Sequence, residues 1–131
     1  MGKPDTWYAY FHIKGSFDPE EVTRRVGITP TETASEGDAI SGSSKGRPCS
    51  LWALHSRLKR TDPLEQHVQD VLDQLDANRG AFEELSREFG GTMELVGYFR
   101  QREPGVALER TIMERLAKYA LMLDCDFYCQ R

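Results

Sequence analysis

Trp7, Ala9, Phe11 and Ile13 alternate with Tyr8, Tyr10, His12 and Lys14. A period of two over this stretch predicts a strand with one buried face, running to Gly15. The period then changes. Asp18 is an N-cap residue, Pro19 takes the first helical position, and Glu21 is placed to complete a capping box. Phe17 and Val22 flank the cap as a hydrophobic staple, and Gly27 ends this short helix. Ile28 to Arg47 is polar and glycine-bearing, and reads as a long loop. Pro48 to Leu58 alternates again, with Trp52, Leu54 and Ser56 against Leu51, Ala53, His55 and Arg57. Asp62-Pro63-Leu64-Glu65 repeats the cap, proline and acid pattern, and Leu64, Val68, Val71, Leu72 and Leu75 follow at helical spacing. Asn78-Arg79-Gly80 interrupts that stripe, and Phe82, Leu85 and Phe89 resume it up to Gly90-Gly91. Two helices with a break, or one kinked helix, fit equally well. Thr92 to Arg102 predicts a third strand and Glu103-Pro104-Gly105 a turn, with a short strand a candidate over Val106 to Leu108. Ile112, Leu116, Ala117 and Ala120 define a last helix. Leu121 to Cys129 closes the chain as a strand, with Leu121, Leu123, Cys125 and Phe127 opposite Met122, Asp124, Asp126 and Tyr128.

The predicted order is β-α-β-αα-β-(β)-α-β. No strand is the continuous apolar run that a doubly wound parallel sheet requires. The expected class is α+β: a mainly antiparallel sheet with helices packed on one face, in a ferredoxin-like arrangement. No internal repeat or composition shift divides residues 1–131, so one domain is expected.

Composition narrows the function. A net charge of −4 argues against a nucleic-acid binder, which must neutralise phosphates. No apolar run approaches the ~18 residues of a membrane span, and Met1-Gly2-Lys3-Pro4 leads into no signal-peptide core, so a cytoplasmic protein is expected. Cys125 and Cys129 sit four apart in one predicted strand, about 13 Å and too far to bridge. Free thiols are the simplest reading, since a Cys-x3-Cys metal pair lacks a second ligand pair. No cofactor is implied.

A series of short motifs resembles a known family. Tyr8-Ala9-Tyr10-Phe11, Phe17-Asp18-Pro19-Glu20-Glu21-Val22 and Val26-Gly27-Ile28-Thr29-Pro30-Thr31 follow its N-terminal pattern. Gly37-Asp38, Gly46-Arg47-Pro48, Trp52-Ala53-Leu54 and the ending Leu123-Asp124-Cys125-Asp126-Phe127-Tyr128 continue it. The chain resembles the bacterial domain-of-unknown-function family 4279 over nearly its whole length. One departure is Glu109-Arg110 after Leu108, where the family carries a Ser-Pro-like helix start. The resemblance implies an α+β bacterial domain and carries over no catalytic residue. Some similar domains look like immunity proteins of toxin systems, an analogy at the level of fold.

Two places could carry chemistry. Gly37 to Gly42, followed by Ser43, Ser44 and Lys45, approaches a phosphate-binding loop. Its lysine comes two positions late and the stretch feeds a strand, whereas phosphate loops open a helix. Lys45 and Arg47 remain candidates for gripping an anion or a partner's carboxylate. The second place is the sheet face away from the helices, which should display Tyr8, Tyr10, His12, His55, Arg57, Tyr98, Arg100, Asp124, Asp126 and Tyr128, with Glu94 alongside. Aromatic and charged side chains on an open sheet suit a protein partner or a homodimer, so a non-enzymatic interaction domain is the leading reading. The alternative is a small-ligand or metal site centred on His12, His55, Asp124 and Asp126. Asp124 and Asp126 would lie about 7 Å apart on one face, suited to pairing with Arg57 or Arg100 as much as to a metal.

Overall fold

The alternating segment at the start of the chain is the middle of the molecule. In a computed structural model, which describes residues 3–100 and 105–130, it forms β1 (Thr6–Gly15) at the centre of a five-stranded sheet. β1 pairs antiparallel with β3 (Ser50–His55) on one side and with β4 (Thr92–Phe99) on the other. The short β2 (Glu32–Ala34) extends the β3 side antiparallel, and β5 (Met122–Cys129) joins β4 in parallel. The order is β2-β3-β1-β4-β5. Between strands run α1 (Pro19–Val26), α2 (Leu64–Leu75), α3 (Arg79–Phe89) and α4 (Arg110–Lys118). Up to β4 the chain follows a β-α-β-β-α-β path. Its second crossover carries two helices, and the α4–β5 step adds a further, parallel strand.

The helices cover one face only. Ala9, Phe11 and Ile13 of β1, Trp52 and Leu54 of β3, and Met93 and Leu95 of β4 meet Val22, Val71, Leu72, Phe82 and Ile112 from the helices. Phe82 is fully buried between Phe11 and Trp52, with ring centroids 5.5 and 5.8 Å away. Each such side chain stabilises the fold by about 1.5–3 kcal/mol through burial. This one-sided core makes the molecule an α+β sandwich and leaves the even-numbered side chains of β1 uncovered. No helix among the described residues is long and apolar enough to cross a membrane.

Several local expectations change. Asp18 caps α1 by accepting from the Glu20 N–H at 3.0 Å, but Glu21 turns outward to Arg24 rather than back to the cap. Gly27 closes α1 in the left-handed region (φ 74°), where a side chain would be strained. Asp62 does not cap α2; its carboxylate accepts from the Lys59 N–H, and Pro63 occupies the cap position. A 3-10 turn at Asp76–Asn78 separates α2 from α3. At the start of α4, Glu109 makes no side-chain cap, and its own N–H is taken by the Glu65 carboxylate at 3.1 Å. The long connection after α1 holds β2, and β3 is shorter than its alternation suggested. Gly105 to Glu109 form no strand, while Arg102 and Glu103-Pro104 of the expected strand end and turn lie outside the described residues. None of the three cysteines is in a disulfide.

Candidate functional site on the open sheet face

Strand register assembles the uncovered face. Tyr10 stands between His55 on β3 and Glu94 on β4; Tyr8 stands beside Val96. Across the β4–β5 pairing, Glu94 faces Asp124, Val96 faces Asp126, and Tyr98 faces Tyr128. The rings form two groups. Tyr10 stacks on His55 at 4.7 Å and Tyr8 on His55 at 5.7 Å, while Tyr98 stacks on Tyr128 at 5.1 Å. The Arg60 guanidinium already sits over the Tyr8 ring, 4.0 Å from its centroid, a geometry in which the ring quadrupole attracts a cation.

Carboxylates lie beside these rings. Glu94 is only 4% exposed, although no helix covers it, because the neighbouring side chains close around it. One oxygen from each of Glu94, Asp124 and Asp126 can lie within 4.8 Å of the others. Residues two apart on a strand thus converge with a third from the neighbouring strand. His12 Nε2 lies 3.1 Å from Glu94 Oε1. Glu94 Oε2 and His12 Nδ1 are buried without a hydrogen-bond partner among the described residues. Burial, then the adjacent Asp124 and Asp126 carboxylates, push the Glu94 carboxyl up to about 7. Two carboxylates cannot hydrogen-bond each other, but a protonated Glu94 donates Oε2–H to an aspartate. Its orphaned oxygen is therefore a feature of the ionised state alone. Burial also lowers His12 and His55, so both imidazoles are neutral near pH 7. Burial, followed by Glu94, raises the Tyr10 phenol to about 12. At neutral pH the face offers aromatic rings, neutral donors and a knot of acid. It can hold a cation, and it can hold or release one proton at Glu94.

Of the side chains expected here, Tyr8, Tyr10, His12, His55, Tyr98, Asp124, Asp126 and Tyr128 share the face. Four do not join them. Arg57 lies past the end of β3, and its guanidinium is locked on Asp70 of α2, with Nη2 2.8 Å and Nε 3.2 Å from the carboxylate. Arg100 lies past the end of β4, outside the strand pairing that assembles the face, and its backbone N–H is held by the Asp5 carboxylate at 2.7 Å. Lys45 and Arg47 sit in the exposed connection into β3, which is pinned on itself by Arg47 N–H to Asp38 O at 2.8 Å. β1 and β4 intervene between β3 and β5, so about 14 Å of sheet separates β3 from the two aspartates and about 10 Å from Glu94. Arg60 is the participant the sequence pattern left out, and the central part of Glu94 is the one it understated. Alternation put Glu94 on this face but gave no sign of its burial. Arg60 lies in the turn after β3, where periodicity carries no information.

Helices on one side and a bare aromatic and acidic sheet on the other define an α+β sandwich with an open face. The profile of the family described as Domain of unknown function (DUF4279) matches residues 5–130, and the chain belongs to that family. No curated protein and no solved structure matches it.

Proposed function

We propose that the protein is a non-enzymatic recognition domain whose open sheet face receives a basic segment, rich in Lys or Arg, of a partner protein. One observation carries this reading: stacked tyrosines surround a three-carboxylate knot whose buried member, Glu94, has an unpartnered oxygen when ionised. A Lys or Arg side chain meets both needs, donating to the carboxylates while its charge lies on a ring face. Arg60 over Tyr8 is an internal precedent. The same charge argues against a second copy as occupant, since self-pairing would bring two sets of acids together. An immunity-like pairing with a toxin would be one instance of this mode. Calorimetric titration with octalysine tests it. Saturable binding is expected, weakened tenfold or more by Asp124→Asn with Asp126→Asn. Equal affinity for octaglutamate, or a homodimer in light scattering that this double variant dissolves, would sink the proposal.

A second reading rests on the 4.8 Å spacing, which suits oxygen ligands around a divalent cation. Because ionised Glu94 would be a ligand, calcium or manganese affinity should climb as pH rises through about 7. Absence of any stability change with either ion at pH 8 removes this reading.

A further inference from the structure

The helical side carries a cleft of a different character. It lies between α3 and α4, encloses about 530 Å³, and is walled by Arg79, Arg87, Arg115 and Lys118 against the acids Asp76 and Glu83. Four cations outnumber these two acids and Asp73, which Arg115 also meets, and leave a positive wall on a chain of net charge −4. Its floor is preset. Arg115 spans Asp73 at 2.8 Å and Asp76 at 2.9 Å, and the Tyr119 hydroxyl donates to Asp76 as well. Those contacts hold the half-buried Asp76 carboxylate in place and fix the Arg115 fork against it. Its rim is not preset. Arg79 meets Asp76 at 3.4 Å and Arg87 meets Glu83 at 3.2 Å, with the two arginine side chains 73% and 62% exposed. Exposed pairs of this kind contribute about 0–1 kcal/mol, so either arginine can turn to a ligand at little cost. Lys118 makes no ion pair or hydrogen bond among the described residues. The volume falls in the range of small-molecule sites, roughly 300–1,000 Å³, and exceeds what a bare inorganic ion would fill.

We propose that this cleft binds a small organic anion carrying two or more negative charges, phosphate or carboxylate, with Arg79, Arg87 and Lys118 closing over it. Planar guanidinium forks match either group in bidentate fashion, and the Arg and Lys stems with the Tyr119 ring supply apolar wall for the organic part. The site is independent of the open sheet face. The test is calorimetry and thermal melting with ATP and with citrate, at ionic strength matched by sodium chloride. Three proteins are compared: the natural chain, Arg87→Glu with Lys118→Glu, and Asp124→Asn with Asp126→Asn. Both charge-reversal positions are exposed, so circular dichroism should show the fold intact. Saturable binding of ATP or citrate, lost tenfold or more on charge reversal and unchanged by the aspartate pair, is the expected result; whichever probe binds names phosphate or carboxylate as the headgroup. Binding no stronger than the chloride control, or equal binding by the charge-reversed protein, overturns the proposal without touching the sheet-face reading.

Discussion

Replacing Glu94 by glutamine tests how the acidic knot is held. The Glu94 carboxyl titrates near 7 in the folded protein, against an ordinary value of 4.5. A folded group with a raised pKa binds its proton more tightly than the unfolded chain does. Its contribution to stability is therefore greatest below pH 4.5 and is lost as pH climbs to about 7. The gap sets a ceiling of about 3 kcal/mol on that loss. Asp124 is exposed and water screens the repulsion, so about 1–2 kcal/mol is the working figure. Glutamine keeps the shape: its Oε1 still accepts from His12 Nε2–H, and its amide nitrogen donates to Asp124 or Asp126. At pH 8 Glu94→Gln should therefore be more stable by about 1–2 kcal/mol, raising the melting temperature by about 3–8 °C for a chain of this size. At pH 4.5 the two proteins should melt together. His12 and His55, both lowered by burial, act in the opposite sense, since their contribution is lost as pH falls below 6.5. His55 has no contact with position 94 and cancels in the difference; His12 bonds that position, so the comparison is made at pH 8, where its ring is neutral in both proteins, and at pH 4.5, where its partner is uncharged in both. Urea melts at the two pH values measure it. A variant less stable at pH 8, or a difference that does not vary with pH, would show that the ionised Glu94 is well paired and that the reasoning is wrong.

Two other substitutions probe the frame behind the face. Phe82→Ala empties the space between Phe11 and Trp52 and should cost about 3–5 kcal/mol in a denaturant melt, because those large rings cannot close over it. Ser56→Ala removes the hydroxyl that pairs with the fully buried His67 Nδ1 at 2.7 Å and accepts the Ala9 N–H at 3.2 Å. Leaving both unpaired should cost about 1–3 kcal/mol by the same measurement.

The core was readable because both periods are local. Trp7 to Ile13 and Leu64 to Leu75 each state which side faces inward, and the folded chain agrees. Long-range pairing was not readable. Nothing in Leu121 to Cys129 says that it will join β4 in parallel, and its inward-facing Leu123 and Phe127 stay 45% and 40% exposed because the helical layer does not reach them. Arg57 misled because its alternation continues past the sheet. The chain leaves the sheet after His55, and Ser56 bonds back to His67 of α2. His67 on amphipathic α2 is fully buried, with its second nitrogen on the Lys59 carbonyl at 3.0 Å. The site shows the same division. Alternation placed the tyrosines and aspartates on one face, whereas the burial of Glu94 depends on β1 and β5 flanking β4, a long-range pairing.

The open sheet face is the proposed landing place of a cationic partner. The most direct measurement is a map of amide and tyrosine-ring NMR shifts as octalysine is added. Shifts concentrated on Tyr8, Tyr10, Glu94, Tyr98, Asp124, Asp126 and Tyr128 are predicted. Shifts confined to the helices, with these residues unmoved, would contradict it.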